Sequence, residues 1–272
     1  MKRREFIKTS LAAGSALSML PSHIRANTDA PKNIIFISAD QMPAACMGSY
    51  GGKVNSTPVL DELAQSGTLF TRHYATSPVC APTRATWLTG RSPCIHGIVV
   101  NNYALSTDTP TYAHVLQHAG YRTGAFGKMH QTPMHFPNPE KVPFLGFDES
   151  VVSEDPKWGP WIDWIRDAHP QYYDKALAIA WSFATWHCDT DCQIKELPRA
   201  KQARQRLLKP LQKASGWRKM WASPLPAECH DTTFITDKSL DFMERHIQHS
   251  PRQPFLCHIS YVDPHEIGRA HV

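Results

Sequence analysis

Two apolar runs far apart in the chain most constrain its fold. Lys32-Asn33-Ile34-Ile35-Phe36-Ile37-Ser38-Ala39 is apolar through its centre and ends in Asp40-Gln41. Pro254-Phe255-Leu256-Cys257-His258-Ile259-Ser260-Tyr261-Val262 has the same character and ends in Asp263-Pro264-His265. A strand with one wet face alternates apolar and polar residues. Unbroken runs read instead as strands buried on both faces, as in a parallel sheet covered by helices. Open α/β sheets build their sites from polar groups at the carboxyl ends of such strands.

The segments between them fit an α/β layer fold. Thr57-Pro58 to Gly67 has a cap, a Pro at the first helical position, apolar Leu60 and Leu63-Ala64, and a terminal Gly. Thr68 to Tyr74 reads as a short strand. Thr111 to His118 reads as a helix stopped by Gly120, and Tyr121 to Lys128 as a strand. Asp231 to His249 has the apolar spacing of a helix through Phe234, Ile235, Leu240, Phe242-Met243 and Ile247. From Phe136 to Glu228 the pattern loosens. Pro is frequent, and Trp158, Trp161, Trp164, Trp181 and Trp186 crowd together. Tyr172 to Trp186 and the basic stretch Arg199 to Trp217 read as helical. We expect 136–228 to be an insertion over the site, although an ordinary aromatic subcore beside a solvated basic helix reads equally well.

With 272 residues, 42% of them apolar, the chain can bury one large core. The net charge of +5 comes partly from the N-terminus and partly from Lys195 to Lys219. No nucleic-acid motif accompanies it, so nucleic acid is not an expected partner. Met1-Lys2-Arg3-Arg4-Glu5-Phe6-Ile7-Lys8 precedes a mild apolar stretch too short to span a membrane. Residues 1–26 resemble a twin-arginine signal peptide, which implies a bacterial chain that meets the twin-arginine export machinery and is periplasmic or secreted. At the other end, residues 266–272 back-translate into a common sequencing-adapter sequence. We expect them to be an assembly artefact on a truncated reading frame.

The chemistry concentrates at Ser77-Pro78-Val79-Cys80-Ala81-Pro82-Thr83-Arg84, followed by Leu88-Thr89-Gly90. Pro82 suits a first helical turn and Gly90 a helix end, so Cys80 falls at a helix N-terminus. Backbone N–H groups and the positive dipole end favour an anion there, with Arg84 one turn away. Asp40 and Gln41 offer adjacent oxygens of the kind that hold a hard divalent cation. Gly127-Lys128-Met129-His130 follows one strand and Pro264-His265 another. His230, just before a helix, is a weaker substrate-side candidate. His187-Cys188-Asp189-Thr190-Asp191-Cys192 superficially offers metal ligands, but no second cluster at zinc spacing accompanies it.

C-x-P-x-R with L-T-G, G-K-x-H and the strand-end P-H together resemble the type I, formylglycine-dependent sulfatases over Asn33 to His265. The resemblance implies the alkaline-phosphatase-like α/β fold, a mainly parallel sheet flanked by helices, with 27–265 as the N-terminal part of the catalytic domain. The family's smaller C-terminal domain would be missing. It implies that a maturase oxidises Cys80 to formylglycine, whose hydrate carries two hydroxyls on one carbon. One attacks sulfur, and the other then expels sulfate. Arg84 and Lys128 would offset charge, His130 would contact the nucleophile, and His265 would protonate the leaving oxygen. Asp40, Gln41 and the group at Cys80 would hold Ca²⁺, with Mg²⁺ or Mn²⁺ as substitutes. Gln41 stands where an Asp is usual, as in phosphonate monoester hydrolases, and Thr83 where Ser or Ala is usual. The implied substrate is a sulfated small molecule or glycan. A phosphate or phosphonate ester hydrolase and a non-catalytic binder of sulfated glycans are the alternatives. Nothing beyond His265 supplies the family's later metal ligands and sulfate-binding Lys, so the chain as written is expected to be inactive. With Cys80 modified, six of the seven cysteines remain for disulfides.

Overall fold

A computed structural model describes residues 31–53, 56–133, 144–180, 191–215 and 223–265. The compact unit begins at Ile34. Its described strands are β1 (Ile34–Ala39), β2 (Arg122–Gly127), β3 (Glu149–Val152) and β4 (Phe255–Tyr261), all parallel, in the order β1-β4-β2-β3. The helices that matter here are α1 (Pro58–Ser66), α2 (Cys80–Thr89), α3 (Tyr112–His118), α4 (Pro160–Ala168), α5 (Tyr173–Ala180), α6 (Asp191–Ser215) and α7 (Asp231–His249).

The strand period of two shows how β2 and β4 come to be buried on both faces. Ala125 and Leu256 point into a core with Ala81, Ala85 and Leu88 of α2. Their neighbours Phe126, Cys257 and Ile259 point the other way, toward Trp161, Leu177, Phe234 and Phe242 of α4, α5 and α7. Both faces are covered, so neither meets water, and the polar His258 and Ser260 that share Leu256's face must find their partners inside. Trp158 and Trp161 belong to this second core, as do Ala200 and Leu208 of α6. Trp181, Trp186 and Cys188 lie outside the described residues.

Four sequence expectations are corrected. β1 is not buried on both faces: Ile35 and Ile37 are 51% and 62% exposed, because β1 pairs only with β4 and no described element covers that face. Thr68 to Tyr74 forms no strand. The α1 residues Leu60 and Leu63 are exposed, as are Leu240 and Ile247 of α7. Thr57 does not cap α1 through its side chain; its hydroxyl accepts from the Gly48 N–H at 2.9 Å and donates to Asp61 at 3.2 Å. The Thr111 helix, by contrast, starts as expected, in a capping box with His114.

Gly127 shows what a close approach demands. Its φ is +95°, and a Cβ there would sit 2.0 Å from the Ser260 carbonyl oxygen on β4. Gly127→Ala is therefore expected to destabilise the fold by about 3 kcal/mol, from left-handed backbone and backbone collision together. Urea unfolding of the two proteins measures it, and an unchanged midpoint would refute the steric account.

Candidate active site

Every strand delivers polar residues to one end of the sheet. β1 ends in Asp40 and Gln41, β2 leads to Lys128 and His130, β3 to Ser153 and Asp155, and β4 to Asp263 and His265. α2 begins at Cys80 beside them. A cavity of about 450 Å³ is lined by Asp40, Gln41, Cys80, Arg84, Trp87 and His265, among others. Five of the residues singled out from sequence thus face one space. Lys128 and His130 lie below it, fully buried.

Asp40 is the hub. Its carboxylate takes the Lys128 ammonium in a close ion pair. The Arg84 guanidinium stands 3.7 Å away, and the Cys80 sulfur lies 3.9 and 4.0 Å from its two oxygens. Arg84 cannot drift. One of its nitrogens donates to the Lys128 carbonyl at 2.6 Å and to the Ser260 hydroxyl at 2.7 Å, and its guanidinium carbon lies 5.6 Å from the centre of the Trp87 ring. Ser260 in turn accepts from Ser38 at 3.0 Å. A planar fork with several donors suits this task better than an ammonium.

The start of α2 is held by side chains that the sequence did not single out for it. Val79 provides no side-chain cap. The Ala81 N–H is taken by Asn101 at 3.0 Å, so that donor is spoken for. Thr83 donates its hydroxyl to the Ser77 carbonyl in a short hydrogen bond, tying the loop before Cys80 to the helix. That gives Thr83 a structural task in this chain.

Burial shapes the protonation states. It pushes the Cys80 thiol up, and Lys128 only partly offsets this. Cys80 is therefore not poised as a thiolate, unlike a working thiol nucleophile. Burial lowers the His130 imidazole to about 3, assisted by Lys128, so His130 is neutral at ordinary pH. Neither of its ring nitrogens has a protein partner among the described residues. Burial alone would lower the Lys128 ammonium, but Asp155 and Asp40 outweigh it and hold the group above its usual range.

Two site residues escaped the sequence reading. Asp155 pairs with Lys128 at 2.6 Å without itself lining the cavity. Glu154 accepts the backbone N–H groups of His130 at 2.7 Å and Met129 at 3.2 Å, which supports the positive φ of +50° at His130. Its other oxygen is sealed from solvent, and burial raises the carboxyl to about 7. The only available signal was a short Val-Val strand running into Ser153-Glu154-Asp155, with no motif around it. His230 donates nothing to the cavity lining; its ring accepts the Thr232 N–H at 3.3 Å and lies 3.7 Å from Asp263.

The donor set is compatible with a divalent cation. One oxygen, nitrogen or sulfur from each of Asp40, Cys80 and His265 falls within 4.8 Å of the others. Gln41, at φ +56°, lines the same cavity. These four fall short of the six to eight oxygens that Ca²⁺ takes. The described cysteines Cys46, Cys80, Cys94, Cys229 and Cys257 are free thiols.

Below the site, His258 of β4 is hydrogen-bonded to the Tyr112 hydroxyl and packed 4.7 Å from Phe36. Burial, with Arg84 nearby, lowers His258 to about 3. The unfolded chain binds a proton near 6.5 that the folded chain refuses. This part of the stability is complete above about 6.5 and is lost as pH falls toward about 3, at roughly 1.4 kcal/mol per pH unit. His258→Phe is expected to flatten the pH slope of the unfolding free energy by one proton in that window. An unchanged slope in urea titrations would contradict it.

The profile of the Sulfatase family matches residues 32–270. This chain belongs to the sulfatase family. Arylsulfatase H of Canis lupus familiaris is 39% identical over 111 residues, covering 36% of this chain and 20% of that protein. N-acetylgalactosamine-6-sulfatase of Rattus norvegicus is 32% identical over 173 residues, 59% of this chain and 32% of that protein. The phosphonate monoester hydrolase structure from Agrobacterium radiobacter superposes with a TM-score of 0.59 at 22% identity, over 86% of this chain and 41% of that one. The chain thus spans about a fifth to two fifths of these relatives. The fold is the alkaline-phosphatase-like α/β arrangement of the family.

Proposed function

We propose that this chain carries the nucleophile half of a sulfuric ester hydrolase, with formylglycine made from Cys80 as its reacting group. The observation that carries the reading is the convergence of Cys80, Asp40, Arg84 and Lys128 at the carboxyl edge of a parallel sheet. The raised Cys80 thiol supports it, because a side chain that is a poor thiolate makes better sense as a precursor than as a nucleophile. Once formed, the aldehyde hydrate supplies one hydroxyl to attack sulfur and a second to expel sulfate.

The chain's own residues frame that chemistry. Arg84, locked by Lys128 and Ser260, presents fixed positive charge beside position 80. Lys128 adds a second cation from beneath. His130, neutral and without a partner on either ring nitrogen among the described residues, is available to contact the group at position 80 or a sulfate oxygen. His265, which lines the same cavity beside Cys80, is placed to protonate the departing alcohol oxygen. Asp40 and Gln41 would hold a divalent cation, Ca²⁺ first, which would polarise sulfate oxygens and acidify the attacking hydroxyl.

The substrate class is a sulfated small molecule or glycan. Export through the twin-arginine route and maturation at Cys80 belong to the same reading, and the sequence of residues 1–26 supports the first; those residues lie outside the described ones. Inactivity of the chain by itself belongs to the same reading: the donors found among the described residues are too few for the cation.

Gln41 favours a second reading, a phosphonate or phosphate ester hydrolase, since it removes one negative charge from the site. Paired aryl sulfate and phenylphosphonate ester assays separate them, on a protein carrying the whole catalytic domain and matured at Cys80. We expect kcat/KM to favour the sulfate ester. A preference for the phosphonate ester would overturn the sulfatase reading.

A further inference from the structure

Lys128 is the residue whose position the proposed chemistry does not explain. A lysine meant for a substrate anion would point its ammonium into the cavity. Instead Lys128 is wholly buried and does not line the cavity, and its ammonium is shared between two carboxylates, Asp40 and Asp155. Asp40 is also the one carboxylate among the candidate cation ligands. A cation at Asp40 and an ammonium in close contact with the same oxygen are mutually exclusive neighbours: two positive charges would share one acceptor inside a low-dielectric site. One of them must yield.

The surroundings decide which. Arg84 also faces Asp40, but its hydrogen bonds to the Lys128 carbonyl and Ser260 pin it. Lys128 has a flexible four-carbon stem and a second carboxylate already within 2.6 Å. Moving its ammonium fully onto Asp155 leaves no buried charge unpaired, so the cost of burying an isolated ion is avoided. Asp155 is fixed at the end of β3 by the same short segment that anchors Ser153 and Lys157 on Asp231 at 2.6 and 2.7 Å.

We propose that Lys128 is a built-in stand-in cation for Asp40, and that Asp155 is the positioning residue that receives its ammonium when a divalent ion takes Asp40. The proposal rests on the reading of Asp40 as a cation ligand. It assigns Asp155 a task that a merely structural acid would not have. The site is neutralised and folded before the ion arrives, and the ion's arrival leaves Lys128 charged and placed beside position 80.

The test is cation binding, without turnover, by a protein carrying the whole catalytic domain, in which the remaining cation ligands are supplied. Terbium stands in for calcium, and Trp87 in the cavity wall sensitises its emission. Lys128→Met removes the competitor and is expected to tighten terbium binding by roughly tenfold, within the usual range for coupling between competing groups. Calcium must displace the terbium in both proteins. Because Lys128→Met leaves two acids without their partner and could impair folding, a second measurement uses the unmutated chain. With lysine labelled at ¹⁵Nζ, the Lys128 resonance, assigned by its loss in Lys128→Arg, is expected to move as calcium is added and to saturate with the terbium-displacement curve. In Asp155→Asn the ammonium loses its receiver, and calcium is expected to bind several-fold more weakly while Asp155→Glu restores it. A Lys128 resonance that stays put while calcium binds, or equal terbium affinities with and without Lys128, overturns the inference and leaves the cation site standing. No cation binding by any of these proteins overturns both.

Discussion

Cys80→Ala, in a protein carrying the whole catalytic domain and produced with a maturase, is expected to lower sulfate-ester turnover by roughly 10⁴-fold or more, the scale on which loss of a covalent nucleophile is felt. The fold should survive. Cys80 sits in the first turn of α2, Ala is a good helix former, and the sulfur makes only distant contacts with Asp40. Far-UV circular dichroism and the urea midpoint should therefore stay within about 1 kcal/mol of the parent. Cys80→Ser sharpens the test. It keeps one hydroxyl where the chemistry needs two, so a single equivalent of alcohol should be released without continued turnover. Steady turnover by Cys80→Ala would remove position 80 from the mechanism altogether.

The second large effect is structural and needs no activity. Arg84→Met is expected to cost about 3–5 kcal/mol of unfolding free energy. The buried Lys128 carbonyl and Ser260 hydroxyl lose their donor, and the Asp40 carboxylate loses a neighbouring charge. That is a large share of a typical domain's stability. Arg84→Lys should recover little, because a point charge cannot serve Lys128, Ser260 and Asp40 together. Urea unfolding of the three proteins decides it, and a loss under 1 kcal/mol in Arg84→Met would show that the guanidinium is not the keystone described above.

The parts of the fold legible in sequence were those where one signal ruled. β2, β4 and α7 carry long periodic or unbroken apolar patterns, and the structure places them within a residue or two of expectation. Gly and Pro punctuation placed Cys80 at a helix start and Lys128 and His265 after strands, where the structure has them, while their site roles come from the motif resemblance. β1 looked identical to β4 by composition, yet it lies at the edge of the described strands, with one face that no described element covers. Burial depends on what pairs beside a strand, which a local window does not contain. Thr57 and Leu63 failed for a related reason: a cap and an apolar stripe are offers, and tertiary contacts decide whether they are taken up. Asp155 and Glu154 were invisible because their task is defined by Lys128 and the His130 backbone, some 25 residues away in sequence. Ordinary acids after a short strand carry no mark of such a role.

The most direct test of the central claim is the mass of the peptide containing Cys80, taken from protein made with a competent maturase and compared with a known substrate of that maturase. With Cys80 matured to formylglycine, this peptide loses one sulfur and two hydrogens, gains one oxygen, and reacts with a hydrazide as an aldehyde does. A peptide that keeps the unmodified thiol while the control is fully converted would contradict it.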